Sequence, residues 1–105
     1  MTINVKVRFE GEDFETMDLT IGSDEIAAKR CGVKFNPTGD RSIANMKALA
    51  AALMQQMQFE FDGCSDPDAK RALATAMTNL ESAQMFAVKG IAHRLANFAP
   101  QEEKE

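Results

Sequence analysis

The stretch KFNPTGDRSIANMK, residues 34 to 47, gathers one flat ring and several hydrogen-bonding groups. Phe35 can stack on a nucleobase, a contact worth about 1–3 kcal/mol. Asn45 carries an amide that both donates and accepts, suited to a purine edge or a ribose, and Asn36 adds a second amide. Arg41 and Lys47 can meet phosphates. The stretch also covers a helix start, whose free N–H groups and partial positive charge favour an anion. These residue types suit a pocket for something flat, polar and negatively charged. The plainer reading of the same residues is a helix start with a solvated face, Phe35 stapled onto the helix and Arg41 an ordinary surface charge. Lys70 and Arg71 add two cations at the start of a later helix, at the far end of the fold unless another subunit brings them close.

No catalytic set accompanies them. The single histidine, His93, has no Cys or Ser at a spacing that fixes it nearby. One His with Cys31 and Cys64, themselves 33 residues apart, does not make a zinc site at standard spacing. There is no Walker loop and no GxGxxG. The acidic pairs Glu12–Asp13 and Asp66–Asp68 read as turn and cap residues, with a paired-carboxylate hydrolase as the remaining enzymatic option. The expectation is a binding protein, not an enzyme, with no metal and no cofactor.

Composition narrows the partners. The chain has 105 residues, which makes one domain spanning 1–105 the default. Its net charge of −4 argues against a DNA or RNA binder, which needs a basic footprint, but not against a small phosphate ligand held by local cations. The aromatics are seven Phe with no Tyr or Trp, so any stacking falls to Phe. Cys31 and Cys64 read as reduced, buried thiols of a cytoplasmic protein. No run of apolar residues is long enough to cross a membrane, and no membrane partner is expected.

The elements that must position these groups follow from periodicity. TINVKVRF alternates through Ile3, Val5, Val7 and Phe9, and FETMDLTI through Met17, Leu19 and Ile21, with a phase slip at Phe14 that suggests a bulge. A β-hairpin over 2–21, turning at EGED, is predicted. Such a hairpin is barely stable alone, so it must pair with another sheet or lie on helices. A short helix over 23–31 has Ser23 as cap and Gly32 as stop. Helix one, 40–60, carries the stripe Ile43, Met46, Ala50, Leu53 and Met57; Arg41, Asn45, Ala48 and Ala52 project to the opposite face, and Lys47 to the stripe's edge. Asp66 and Pro67 start helix two, 67–97, with a seam of Leu73, Met77, Leu80, Gln84, Ala87, Ile91, Leu95 and Phe98. The tail, 99–105, is expected to fray. The short connection makes the two helices antiparallel neighbours.

Helix two is more apolar than a two-helix hairpin needs. Met85, Val88 and Ala92 widen its stripe, and Phe86 lies on the polar side with Thr75, Ser82 and His93. Gly90 costs about 1 kcal/mol inside a helix relative to Ala, which close approach of another chain would explain. The expectation is an α+β chain, an N-terminal β-hairpin followed by a long antiparallel helical hairpin, assembled as a homo-oligomer through Met85, Phe86, Lys89, Gly90 and His93.

Two segments, FNPTGDRSIANMKALAAAL and LATAMTNLESAQMFAVKGIA, resemble the helical-hairpin domain of phage anti-CBASS and anti-Thoeris signal-sequestering proteins. The second carries that family's pattern: Thr78, then Leu80 and Glu81, then Met85, then Lys89 before the small apolar run Gly90 to Ala92. The resemblance covers about residues 33 to 97. It implies a sponge that binds cyclic ADP-ribose isomers or cyclic oligonucleotides of bacterial immunity without cleaving them, in the host bacterial cytosol. It also implies dimers, or hexamers built from three dimers. The N-terminal β-region is similar to the anti-Thoeris branch. There the Phe of FNP and an Asn ten residues on look like ligand contacts, a spacing Phe35 and Asn45 fit. Basic residues near the second helix start, here Lys70 and Arg71, would meet phosphate. Lys47 matches a Lys of the other branch, but Phe35 lacks the hydroxyl of that branch's Tyr and sits closer to the helix. The competing reading is an oligomeric helical-hairpin module that binds a host protein and no nucleotide.

Overall fold

Asp40 starts the helix on which the strands and the other helices pack. Its carboxylate accepts a hydrogen bond from the Ile43 N–H at 2.9 Å, the expected cap for a helix that then needs no other partner for that donor. The computed structural model describes residues 2–7, 17–22 and 25–103. They form β1 (Thr2–Val7), β2 (Met17–Gly22), α1 (Ile26–Arg30), α2 (Arg41–Asp62) and α3 (Pro67–Glu103). The strands pair antiparallel, from Thr2 opposite Gly22 to Val7 opposite Met17. The expected EGED turn, the Phe14 bulge and the Ser23 cap lie outside the described residues.

The architecture is α+β: a strand pair followed by long helices, as the alternation and the helical periodicity predict. The strand pair lies on α2, with Val5 and Ile21 buried. Of the two ways to stabilise a lone pair, the chain takes the helix, so the pair itself supplies no reason for a second copy. α1 is a single turn that buries Ala27 and Ala28. It ends in a Schellman motif: Val33 N–H donates to Ala28 O at 3.0 Å and Gly32 N–H to Lys29 O at 3.1 Å. Gly32 has φ +63°, which a residue with a Cβ adopts only under strain.

The two long helices run antiparallel. Lys70, early in α3, sits 4.3 Å from the Phe61 ring centroid, late in α2. At the other end Ile43 and Lys47 share a cavity with Val88 and Ala92. Asp66 caps α3 through the Ala69 N–H at 3.0 Å, and Pro67 takes the first helical position, where a missing N–H costs nothing.

Three expectations are corrected. α3 does not stop at residue 97 but runs to Glu103, through the segment read as a tail. Pro100 removes one N–H bond there, yet Gln101, Glu102 and Glu103 are good helix formers. Leu53, placed in the α2 stripe, is half exposed, and Ala52, placed on the solvent face, is buried together with Ala50 and Ala51. The cause is that α2 is covered on two sides. α3 takes the Ile43–Ala50–Met54 side, and the strand pair and α1 take the alanine side, where small side chains permit close approach. A single-stripe projection has no place for a helix sandwiched this way.

Candidate functional site

The site grows out of the loop between α1 and α2. Phe35 N–H donates to Gly32 O at 2.9 Å, closing a turn just after the Schellman motif. Asn36 is spent on the loop itself: its Nδ2 donates to Asp40 O at 3.0 Å and its Oδ1 accepts from Thr38 Oγ1 at 3.1 Å. Gly39, with φ +67°, completes the turn into the helix cap. The loop is therefore knitted by local bonds, and it leaves the Phe35 ring 71% exposed.

Lys47 lies beneath it. A lysine at the edge of an apolar stripe is expected to snorkel outward; this one turns inward and is only 7% exposed. Its Nζ donates to Gly32 O at 3.1 Å and to Phe35 O, and stands 5.3 Å from the Phe35 ring centroid. Burial pushes its pKa below the ordinary lysine value. The ammonium thus clamps the loop that carries the ring.

Cavities open on both sides of this clamp. One, of about 160 Å³, is lined by Phe35, Asn36 and Pro37 from the loop, Ile43 and Lys47 from α2, and Val88 and Ala92 from α3. The other, of about 380 Å³, lies between the end of α1 and α3, with Lys29, Arg30, Lys47 and Lys89 around it. Gln84 of α3 forms part of the wall of this second cavity. It is 5% exposed, and its Oε1 is buried without a hydrogen-bond partner among the described residues. An orphaned acceptor of this kind costs about 1–3 kcal/mol. Arg30 is paired with Glu81, Nε to Oε1 at 2.5 Å, across the gap from α1 to α3. Cys31, on the same wall, is buried; burial and the Glu81 carboxylate push its thiol pKa up while Arg30 pulls it down, which leaves a poor nucleophile.

The candidate residues separate into three groups. Phe35, Asn36 and Lys47 come together at the small cavity. Arg41 and Asn45 are exposed on α2 and line neither cavity. Lys70 and Arg71 sit at the opposite end of the hairpin, Lys70 over Phe61 and Arg71 bonded to Asp68 at 3.2 Å. The residues expected at an oligomer interface, Met85, Phe86, Lys89, Gly90 and His93, are all exposed on α3. A Cβ at Gly90 would meet nothing within 4 Å, so packing within the chain does not require glycine there. His93 accepts from Asn97 Nδ2 through its backbone carbonyl at 2.8 Å.

Sequence reasoning missed Lys29, Arg30 and Gln84 as site residues. The first two read as cations that complement the end of a short helix. Gln84 did leave a signal: a polar side chain in an otherwise apolar seam. Among the described residues no group of His, Cys, Asp and Glu is placed to hold a metal ion, and no helix is long and apolar enough to cross a membrane.

Comparison with curated proteins and with solved structures finds no match. The sequence model of the Acb2/Tad1 hairpin domain matches residues 25–92, which span α1, the clamped loop, α2 and most of α3, and so contain both cavities. With well over half of its length matched, including every residue of the Lys47 clamp, the chain belongs to the Acb2/Tad1 hairpin-domain family, the anti-CBASS and anti-Thoeris sponges.

Proposed function

We propose that this protein captures a cyclic nucleotide messenger of bacterial antiviral signalling and holds it intact. The observation that carries the reading is the Phe35 ring, exposed to solvent yet fixed from behind by the Lys47 clamp beside a cavity. A large apolar ring on a rigid loop loses little freedom on binding and is ready to stack. Asn45 and Arg41, one helical turn apart on α2 and both exposed, would meet ligand groups that extend beyond the cavity. The strand pair ahead of the matched domain favours the anti-Thoeris branch and hence cyclic ADP-ribose isomers, with cyclic di- and trinucleotides as the other class. Among the described residues, none of those lining the cavity at Phe35 pairs a nucleophile with a base, which favours sequestration over cleavage.

The ligand is enclosed in this reading by a second copy. The exposed apolar side chains Leu49, Leu53, Met85 and Phe86 and the open Gly90 support a homo-oligomer, a dimer or three dimers joined as a hexamer. Lys70 and Arg71 reach a pocket only if another subunit brings the turn end of its hairpin there. The same exposed side chains are what favours the second reading, a module that binds a host protein.

Calorimetric titration against cyclic ADP-ribose isomers and cyclic di- and trinucleotides tests the proposal, followed by heat release of the ligand and chromatography. Tight binding with unaltered ligand recovered supports a sponge. Altered ligand identifies an enzyme. No binding across the panel leaves the protein-binding module.

A further inference from the structure

We propose that the groove between the start of α1 and the second half of α2 is a docking surface for a partner protein that presents an arginine. The groove has a volume of about 430 Å³ and shares no lining residue with the two cavities beside Lys47. Its apolar lining is Ile26 and Ala27 from α1 and Phe59 from α2. Ile26 and Phe59 are large side chains left more than half exposed, and contact with a partner would take that apolar surface out of water. The charges define the partner. Among the described residues, the charged groups lining the groove are both carboxylates, Glu25 and Asp62. Glu25 holds the cap position of α1, yet its side chain makes no capping bond. Asp62 ends α2, where the helix dipole disfavours a carboxylate, and the last turn of α2 has no basic residue to offset it. Gln58 donates to one Asp62 oxygen at 2.9 Å and so fixes where that carboxylate stands. No described cation pairs with either acid. Lys70 lies over the Phe61 ring and does not line the groove. An aromatic ring beside two carboxylates suits a guanidinium better than an ammonium. The planar cation can stack on Phe59 while its N–H fork meets a carboxylate, and it is more weakly hydrated. Its methylene stem and apolar neighbours would cover Ile26 and Ala27.

The test uses the full-length protein and a fluorescein-labelled tri-arginine peptide as the probe, with tri-lysine of the same charge for comparison. By fluorescence anisotropy, tri-arginine should bind about 10-fold more tightly than tri-lysine. Phe59→Ala should remove most of that preference, because the ring is what distinguishes a planar cation. The double variant Glu25→Gln/Asp62→Asn should weaken both peptides about 10-fold. All three positions are exposed, so the melting temperature should not change. Equal binding of the two peptides by the wild type overturns the proposal and leaves only an acidic surface. So does unchanged binding in either variant. A lower sedimentation mass for Phe59→Ala would give the groove to a second copy of this chain, which also overturns it. The outcome is separable from the messenger reading, since Phe59→Ala should bind the cyclic nucleotide panel as the wild type does. A protein that binds tri-arginine but no cyclic nucleotide keeps this surface and loses that function, and the reverse result removes this surface alone.

Discussion

The two ends of the helical hairpin hold their cations differently: Lys70 and Arg71 stand at the turn end, and Lys29, Arg30, Lys47 and Lys89 gather around one cavity at the open end. At the turn end, Lys70 lies on the Phe61 ring and Arg71 faces Asp68, three residues back on the same helix. Both side chains are answered locally, and the exposed Arg71–Asp68 pair contributes little to stability in water. At the open end, Lys47 is buried under Phe35, Lys29 and Lys89 line a cavity beside it, and the Gln84 amide oxygen is buried without a partner among the described residues. At the turn end the partners are a ring and a carboxylate on the surface; at the open end Arg30 bridges α1 to α3 through Glu81 and Lys47 holds two loop carbonyls. Charge by itself does not mark a site.

The contrast can be broken or sharpened by substitution, and the largest effect is expected at the ring. Phe35→Ala should weaken the messenger about 10–100-fold, the loss of one stacking contact, and leave the melting temperature alone because the ring is exposed; calorimetry and a thermal melt read both. Next comes the loop hinge. Gly32→Ala should cost about 1–2 kcal/mol in urea denaturation, from the left-handed φ alone. Steric crowding adds nothing, since the new Cβ would lie 3.7 Å from Lys47 Nζ, an ordinary contact. Gln84→Leu should move stability the other way, up by about 1 kcal/mol, by removing a buried acceptor that has no donor. A loss of stability there would mean that the amide is satisfied in solution and that the open end is less unusual than it looks.

Alkaline titration gives a smaller signal with a definite sign. The Lys47 pKa is lowered in the folded chain, so between that value and the ordinary lysine value of about 10.4 the unfolded chain binds more protons. Lys47 burial therefore opposes folding below the lowered pKa, and stability rises as pH climbs through the window. Lys47→Met should flatten that rise in a comparison of melting temperatures across alkaline pH. The smallest effects belong to the turn end: Lys70→Ala and Arg71→Ala should change messenger affinity less than twofold. If either weakens it more than Lys89→Ala does, a second copy's turn completes the pocket, and the two ends are not separate in the assembly.

Much of the architecture was legible because it rests on local rules. Asp40, Asp66 and Pro67 announce their helix starts, and Gly32 announces a stop that the structure makes with a Schellman motif. The loop around Phe35 was readable because Asn36, before Pro37, is kept from continuing a helix, whereas the ring's exposure was left open between stacking and a staple onto the helix. Lys47 was placed correctly at a stripe edge, but which way it turns depends on the carbonyls of Gly32 and Phe35, twelve to fifteen residues away in the chain. The cationic cavity was illegible for the same reason. It needs α1 to fold back across α2 and place Lys29 opposite Lys89, a relation that no spacing in the sequence records. Asn36 shows another limit: its type fits a ligand contact, and sequence does not tell that one amide proton and one oxygen lone pair are already used within the loop.

Lys47 lines both cavities, and an ammonium has only three protons to give. Two are committed to the Gly32 and Phe35 carbonyls. One remains for whatever occupies either side. An acceptor entering one cavity would take that proton away from the other, so a single ammonium couples the two sides of the loop.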